Sequence, residues 1–244
     1  MADHVGRTLR RVGQLYPGVG SAWRRGASMS SDALAALMAE PDTCCPHGMA
    51  DASVCPDCLE PAAFGLDPLD LMRIPAEFRG ATIATLPRAT QSAIAPFIES
   101  WPPSRPVLWL GGNVGAGKSY TACAILRAVH RDYSVAGRFW PVSEVADAYR
   151  AASDPGYEGP WPAPVLDNAL MTARLLVLDD FGAERTTEFS TGKLYRVVDA
   201  RYRERLPTIV TTNIDPGALD PRIRSRLLSG IEVRFSGPDR RVTT

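Results

Sequence analysis

Apolar runs alternate with amphipathic stretches along the second half of the chain. Short runs rich in aliphatic and β-branched residues predict strands at residues 107–110, 137–140, 175–178 and 208–211. Apolar positions at helical spacing predict helices over residues 118–130, 143–152 and 189–205. Strands that alternate with helices in this way are typical of a parallel sheet covered by helices on both faces. We therefore predict an α/β fold for residues 107–244.

The preceding 106 residues lack this alternation. Residues 1–40 are rich in Arg, Ser and Ala, carry one predicted helix at 31–40, and contain too little apolar material for a core. They suit a solvated arm, with an arm that binds DNA or a protein partner as the alternative. Cysteines cluster after this arm, and a proline-rich stretch follows them. We predict an N-terminal region at 1–65, a linker at 66–106 and the α/β domain at 107–244.

Composition limits the partners of the chain. Its 27 basic and 27 acidic residues give no net charge, and the isoelectric point is near 6.8. No overall field therefore attracts nucleic acid or a membrane surface, and any DNA contact must come from a local patch. No apolar run is long enough to cross a membrane, and the N-terminus lacks the apolar core of a signal peptide. We expect a cytoplasmic protein with no membrane partner.

A glycine-rich segment directly follows the first predicted strand. It reads Gly112-Asn113-Val114-Gly115-Ala116-Gly117-Lys118-Ser119, followed by Tyr120, and it fits the phosphate-binding pattern of Gly, any four residues, Gly-Lys-Ser/Thr. The glycines allow backbone amides to surround a β-phosphate, and the lysine places a compact positive charge between the β- and γ-phosphates. The Ser119 hydroxyl is a ligand for Mg²⁺. These nine residues are the predicted nucleotide-binding residues, and the alternative is a glycine-rich turn with no ligand.

Polar residues follow two further predicted strands. Asp179 and Asp180 end an apolar strand, where Asp179 is placed to hold Mg²⁺ and Asp180 to orient or deprotonate an attacking water. Asn213 follows the strand at 208–211, where an amide can hydrogen-bond a γ-phosphate or that water. Arginines at 222–226 and 240–241 supply cations for a developing phosphate charge, although any one of them could equally be solvated surface.

Four of the five cysteines lie between positions 44 and 58. Cys44-Cys45-Pro46-His47 and Cys55-Pro56-Asp57-Cys58 form two knuckles that can close one tetrahedral zinc site. The predicted ligands are Cys44, His47, Cys55 and Cys58, with Cys45 as the alternative to Cys44. Four protein ligands leave no open position, so this zinc would be structural.

Several segments together resemble one family. They are the cysteine knuckles, residues 74–82 (Ile-Pro-Ala-Glu-Phe-Arg-Gly-Ala-Thr), the phosphate-binding loop, and residues 175–182, 195–202, 206–213 and 222–227. In order and spacing they are similar to the DnaC-type helicase loaders, a branch of the AAA+ ATPases that includes phage loaders and IstB-like transposition helpers. The resemblance runs from about residue 44 to the C-terminus. It implies an AAA+ P-loop ATPase domain preceded by a small N-terminal zinc-knuckle domain.

The resemblance also implies roles for individual residues. It implies ATP with Mg²⁺ as the cofactor, and Asn213 as the polar sensor residue. Arg226 matches the finger that reaches a neighbouring subunit's ATP, and Arg240 or Arg241 matches the second sensor, with Arg241 taken as the catalytic residue. Asp180 stands where many AAA+ members have Glu. The expected ATPase is therefore a weak one, or one that is stimulated by a partner or by DNA.

The implied function is to bind a replicative hexameric helicase and help place it on single-stranded DNA, as a homo-oligomer with ATP at subunit interfaces. The N-terminal region would contact the helicase. We expect DNA contacts from the helix near 143–149 and from Tyr157 and Trp161, or else that these residues pack the core. The alternative function is an IstB-like transposition helper ATPase. A small-molecule kinase and a non-hydrolysing scaffold are further alternatives.

Overall fold

The computed structural model describes residues 67–157, 159, 161–182, 188–237 and 239–240. The predicted N-terminal helix, the zinc ligands Cys44, His47, Cys55 and Cys58 with the alternative Cys45, and Arg241 lie outside these residues. The zinc knuckle and the role of Arg241 therefore stay predictions, as do the bounds of the three predicted regions, 1–65, 66–106 and 107–244. The chain divides into two compact units, of which one includes residues 148–172 and the other residues 74–147 and 173–244.

Five parallel strands form the sheet of the larger unit. They are β1 (Val107–Gly112), β2 (Arg138–Pro141), β3 (Leu176–Asp179), β4 (Thr208–Thr212) and β5 (Ile231–Phe235). Their spatial order is β2-β3-β4-β1-β5. In the centre of the sheet, Val107 of β1 lies opposite Thr208 of β4, and Leu176 of β3 lies opposite the same residue. Because all neighbours are parallel, the carboxyl ends of the strands meet at one edge of the sheet.

Helices flank this sheet, as predicted. Among the described residues the helices are, in chain order, α1 (Pro68–Leu71), α2 (Arg88–Ile98), α3 (Lys118–Tyr133), α4 (Val142–Ala151), α5 (Ala163–Thr172), α6 (Glu188–Arg203) and α7 (Pro221–Leu227). Of these, α1 and α5 belong to the smaller unit. Within the larger unit, α3 contacts β1 and β4, and α7 contacts β1 and α6. Every residue of β4, and the first five of β1, are buried. Since successive residues of a strand point to opposite faces, both faces of the central strands are covered.

The structure adds elements to those that the sequence predicts. Strand β5 and helices α5 and α7 are not among the predicted elements, and α1 and α2 lie within the stretch predicted as a linker. Three short 3₁₀ helices also form, at Ala76–Phe78, Ile83–Thr85 and Pro216–Ala218. The alternating side chains of β5, Ile-Glu-Val-Arg-Phe, carry a strand signal that the prediction missed. The four predicted strands and three predicted helices are present, with ends shifted by no more than three residues.

The side chain of Arg201 links helix α6 to the start of β4 through hydrogen bonds. Its Nε donates a hydrogen bond to Thr208 Oγ1 (2.9 Å), and its Nη2 donates to the Pro207 carbonyl (2.7 Å). The side chain is only 1% exposed. Burial disfavours the charged guanidinium and lowers the pKa of Arg201 to about 9. An arginine of α6 is thus part of the core rather than of the surface.

In the smaller unit, a buried tyrosine links two helices. The Tyr149 hydroxyl at the end of α4 donates to Asp167 Oδ1 of α5 (2.6 Å), and the Tyr149 ring is fully buried. Trp161 is also buried, and its backbone N–H donates to the hydroxyl of the half-buried Tyr157 (3.3 Å). For Tyr149 and Trp161 the packing alternative therefore holds, because a buried ring cannot stack on an unpaired base.

Among the described helices, none is long and apolar enough to cross a membrane.

Candidate functional site

A cavity of about 510 Å³ lies at the carboxyl edge of the sheet in the larger unit. Residues predicted from three separate segments line it: the phosphate-binding loop, the acidic end of β3, and the polar end of β4. These are Val114, Gly115, Gly117, Lys118, Ser119, Tyr120, Asp179, Asp180 and Asn213. Ligands of open parallel sheets bind at this edge, where loops meet beyond the strand ends. The fold thus brings together residues that are about a hundred positions apart in the chain.

The loop that follows β1 has the backbone conformation that its glycines allow. Gly112, Gly115 and Gly117 have positive φ angles of 138°, 70° and 101°, which residues with a side chain rarely adopt. The loop ends at Gly117, and α3 begins at Lys118. The Lys118 ammonium donates to the carbonyls of Gly112 (2.9 Å) and Asn113 (2.5 Å). The loop therefore holds its own lysine at its base, next to the first turn of α3.

A second segment, at the C-terminal end of the described chain, crosses over this loop. The backbone N–H of Asn113 donates to the Phe235 carbonyl (3.3 Å), and that of Arg240 donates to the Gly115 carbonyl (3.1 Å). A Cβ on Gly115 would overlap the Asp239 carboxylate and lie 2.8 Å from the Asp239 Cα. Arg240 also lines the cavity, beside Gly117. Arg240 and Arg241 are the two candidates for the second sensor. Of these, only Arg240 is among the described residues, and it lies at the site.

The two acidic residues after β3 have different environments. Asp179 is half-buried and accepts hydrogen bonds from the hydroxyls of Thr211 (2.7 Å) and Ser119. Burial raises the pKa of the Asp179 carboxyl above its ordinary value, while the hydrogen bonds from Thr211 and Ser119 oppose this rise. Asp180 is exposed to the cavity, and its Oδ1 accepts a hydrogen bond from the Asn213 amide (2.5 Å). The more buried carboxylate thus adjoins the loop, and the more exposed one faces outward with Asn213.

Ser119 and Asp179 together form a set of oxygen donors that fits Mg²⁺. A hydroxyl and a carboxylate are the ligands that this hard cation takes beside nucleotide phosphates and water. Their hydrogen bond brings the end of the loop and the end of β3 into contact. Across the described residues there is no cluster of three or more His, Cys, Asp or Glu side chains that could hold a metal. Any Mg²⁺ here would therefore need ligands from a bound nucleotide and water as well.

One part of the cavity lining consists of residues that the sequence did not single out as a site. Phe78, Thr85 and Leu86 line it together with Tyr120. The hydroxyls of Tyr120 and Thr85 are hydrogen-bonded (2.8 Å), and the rings of Phe78 and Tyr120 meet edge to face at 6.4 Å. Phe78 belongs to segment 74–82, which is part of the resemblance to the helicase loaders. Its position in that motif was the signal that could have marked it as a site residue. This part of the lining is largely apolar and aromatic.

Arg226 does not line the cavity. In α7 its guanidinium forms an ion pair with Asp199 of α6 (2.7 Å) and donates to the Tyr195 hydroxyl (3.1 Å). The centre of the guanidinium lies 5.0 Å from the centroid of the Tyr195 ring, and Arg222 lies 4.8 Å from the same ring. Of the predicted catalytic residues within the described chain, Asp179, Asp180 and Asn213 converge on the cavity. Arg226 lies elsewhere, on the surface formed by α6 and α7.

Comparison with known proteins gives structural matches only. No protein-family model and no curated protein matches the chain. Among solved structures, the chain is similar to the DnaC helicase loader, with a TM-score of 0.59 and 19% identity over 66% of this chain and 100% of that one. It is also similar to DnaI, with a TM-score of 0.56 and 21% identity over 68% of this chain and 94% of that one.

The AMPPCP-bound replication initiator DnaA of Aquifex aeolicus is a further match, with a TM-score of 0.55 and 18% identity over 65% of this chain. This chain covers 50% of that DnaA chain. At such identities the matches establish similarity of fold. These matches confirm the predicted parallel sheet flanked by helices. At the level of the fold, they also confirm the resemblance that the motifs indicate. In its fold, the chain resembles the DnaC-type helicase loaders among the AAA+ ATPases.

Proposed function

We propose that this chain is an ATP-dependent helicase loader that binds and hydrolyses ATP. The observation that carries the proposal is the convergence of Lys118, Ser119, Asp179, Asp180 and Asn213 on one cavity at the carboxyl edge of the sheet. A phosphate-binding loop alone would support nucleotide binding. The carboxylates of Asp179 and Asp180 and the amide of Asn213 add the groups that hydrolysis requires.

ATP would lie with its phosphates against the loop. The backbone amides of the loop and of the first turn of α3 point toward the anion, and Lys118 adds a compact positive charge. Ser119 and Asp179 would hold Mg²⁺, which neutralises charge on the β- and γ-phosphates when it is bound. Lys118 is 6% exposed, so its charge acts in a site from which most water is excluded.

The base and ribose would extend toward the apolar end of the cavity. Phe78, Leu86 and Tyr120 offer aromatic and aliphatic surface there, which suits a flat heterocycle. The hydrogen bond between Tyr120 and Thr85 fixes one side of this surface. This direction follows from the chemistry of the lining, since its charged residues, Lys118, Asp179, Asp180 and Arg240, belong to the loop, to the end of β3 and to the C-terminal segment.

Asp180 would orient or deprotonate the attacking water. Its carboxylate is exposed in the cavity, and the Asn213 amide donates to one of its oxygens, which leaves the other oxygen to accept from water. Asn213 would thus act on the water through Asp180 as well as directly. Arg240, beside Gly117, would neutralise charge that develops on the γ-phosphate.

The remaining parts of the proposal concern partners. Arg226, on the α6 and α7 surface outside its own cavity, would reach the ATP of a neighbouring subunit in a homo-oligomer, and ATP binding would favour an open, spiral assembly. The N-terminal region, with its zinc knuckle, would bind the replicative helicase while single-stranded DNA enters the ring. Hydrolysis would then release the loader.

Capture of the replicative helicase in the presence of ATP tests the proposal. The baits are the full chain, Lys118→Ala, Lys193→Ala and a form lacking residues 1–60. Lys193 is the other lysine of the chain and does not line the cavity, so its variant is the matched control. ATP binding should be lost in Lys118→Ala and kept in Lys193→Ala.

A loader should capture the helicase in every form except the deletion. If the full chain binds ATP but captures no helicase, the loader function is wrong, and an IstB-like helper ATPase takes its place with a transposase as the next bait. If the full chain does not bind ATP, the nucleotide site itself is wrong.

A further inference from the structure

One buried hydroxyl, that of Thr211 near the end of β4, contacts both acidic residues of the site. Its Oγ1 donates a hydrogen bond to Asp179 Oδ1 (2.7 Å) and accepts one from the backbone N–H of Asp180 (2.9 Å). Thr211 is 1% exposed, so water does not replace these partners. A single oxygen atom therefore fixes the side chain of one carboxylate and the backbone of the next.

The backbone at Asp180 needs such a restraint. Its φ angle is +57°, in the left-handed region that costs energy for residues other than glycine. The turn is held to β4 by three bonds around it: Asp180 N–H to Thr211 Oγ1, Phe181 N–H to the Thr211 carbonyl (2.8 Å), and Thr212 Oγ1 to the Phe181 carbonyl (2.7 Å). The end of β4 thus determines how the chain turns after β3.

We propose that Thr211 is a positioning residue: its hydroxyl orients the Asp179 carboxylate toward the magnesium position and fixes the turn that presents Asp180 to the cavity. This rests on the proposed ATP and Mg²⁺ site and adds to it a residue of the cavity lining that acts through the two acidic residues. Groups that hydrogen-bond a metal-ligating carboxylate set its orientation, and losing them weakens metal binding. The effect requires the hydroxyl, since a methyl group in its place can neither donate to Asp179 nor accept from Asp180.

The chain provides a matched set of variants. Thr211→Val keeps the shape of the side chain and removes both hydrogen bonds, whereas Thr211→Ser keeps the hydroxyl. Thr208→Val is the control, because Thr208 is equally buried in the same strand but bonds Arg201 and the Leu206 carbonyl, away from the cavity. Thr211→Ala removes the hydroxyl without adding a methyl group, and it serves if the valine variant does not fold.

The experiment measures the affinity of each full-length variant for ATP by calorimetry, once with Mg²⁺ and once with EDTA. The ratio of the two dissociation constants reports how much Mg²⁺ strengthens binding. We expect Thr211→Val and Thr211→Ala to lose about tenfold or more of this gain while the affinity in EDTA stays within about twofold. Thr211→Ser and Thr208→Val should keep it. A merely structural defect would change both affinities together.

Asp179→Asn separates the possible failures. If it loses the Mg²⁺ gain while Thr211→Val retains it, the positioning role is overturned and the proposed site stands. If Asp179→Asn also retains the gain, Asp179 does not hold Mg²⁺, and both the magnesium assignment and the role of Thr211 are wrong. If the serine variant behaves like the valine variant, the hydroxyl is not what matters, and the inference is likewise overturned.

Discussion

The guanidinium of Arg226 and the carboxylate of Asp199 form an ion pair of 2.7 Å that joins α7 to α6. Arg226 is also held against the Tyr195 ring, 5.0 Å from its centroid. The guanidinium also donates to the Tyr195 hydroxyl and to the Arg222 carbonyl. To bind a phosphate of another subunit, as proposed, Arg226 would therefore have to exchange some of these partners for the phosphate.

We expect Arg226→Ala to lower kcat for ATP hydrolysis by about a thousandfold, the contribution typical of an arginine finger. The affinity for ATP should change little, because Arg226 does not line the cavity. Arg222→Ala is the control, since Arg222 stacks on the same Tyr195 ring. Mixing Arg226→Ala with Lys118→Ala subunits should restore hydrolysis, because an intact finger then meets an intact site. Full activity of Arg226→Ala alone would contradict the finger assignment.

Asp180→Asn should abolish most hydrolysis while preserving ATP and Mg²⁺ binding. Asparagine tolerates the positive φ angle at this position, so the turn should survive, but an amide cannot accept a proton from water. We expect kcat to fall by about a hundredfold or more. Phosphate release measures the rate, and Asp215→Asn, an exposed residue that does not line the cavity, is the control. An unchanged rate would show that Asp180 is not the base.

Phe78→Ala should weaken ATP binding by about tenfold, since it removes one aromatic contact with the base. The affinity for inorganic triphosphate should not change, because this ligand does not reach the apolar end of the cavity. Tyr133→Ala is the control, as Tyr133 stacks on Trp101 and does not line the cavity. Calorimetry gives both affinities. Equal losses for the two ligands would contradict the proposed orientation of the nucleotide.

Arg201→Ala should lower the free energy of unfolding by about 3 kcal/mol through the cavity it leaves. Arg201→Met should cost much less, because Met fills the space without a buried charge, and the Pro207 carbonyl still accepts from Leu176 N–H. Denaturant titration measures both values, and equal losses for Ala and Met would show that the guanidinium itself stabilises the fold.

The effect of pH on Arg201 has a defined sign. The pKa in the folded chain, about 9, lies well below the ordinary value of an arginine. Below pH 9 both states are protonated, and the buried charge costs stability. As the pH rises above 9, the folded state releases the proton first, so the wild type should gain stability relative to Arg201→Met. A constant difference between pH 7 and pH 10 would contradict the lowered pKa.

The full chain should bind about one zinc ion, held by four ligands in the N-terminal region. Elemental analysis of Cys44→Ser and Cys45→Ser decides which of the two neighbouring cysteines binds the metal. Only the variant that lacks the true ligand should lose its zinc. His47, Cys55 and Cys58 should be required in either case. Absence of zinc from the wild type would show that the predicted knuckle is wrong.

Local sequence patterns predicted most of the strands and helices of the core. They did not predict contacts between segments that are distant in the chain. The glycine loop and the Asp179-Asp180 pair were recognisable because their chemistry requires specific residues at fixed spacing. The order of the strands was not, since alternation of strands and helices does not specify which strands are neighbours. The role of Thr211 depends on its pairing with residues about thirty positions earlier, and a threonine in a strand carries no signal of that kind.

The passage of the C-terminal segment over the phosphate-binding loop links two positions that are 124 residues apart, Gly115 and Asp239. A side chain at position 115 would require the backbone at 239 to move, whatever residue stood there, because its Cβ would lie 2.8 Å from the Asp239 Cα. In evolution the two positions should therefore change together. A lineage that replaced this glycine would need another path for the residues after β5, and with it another position for Arg240.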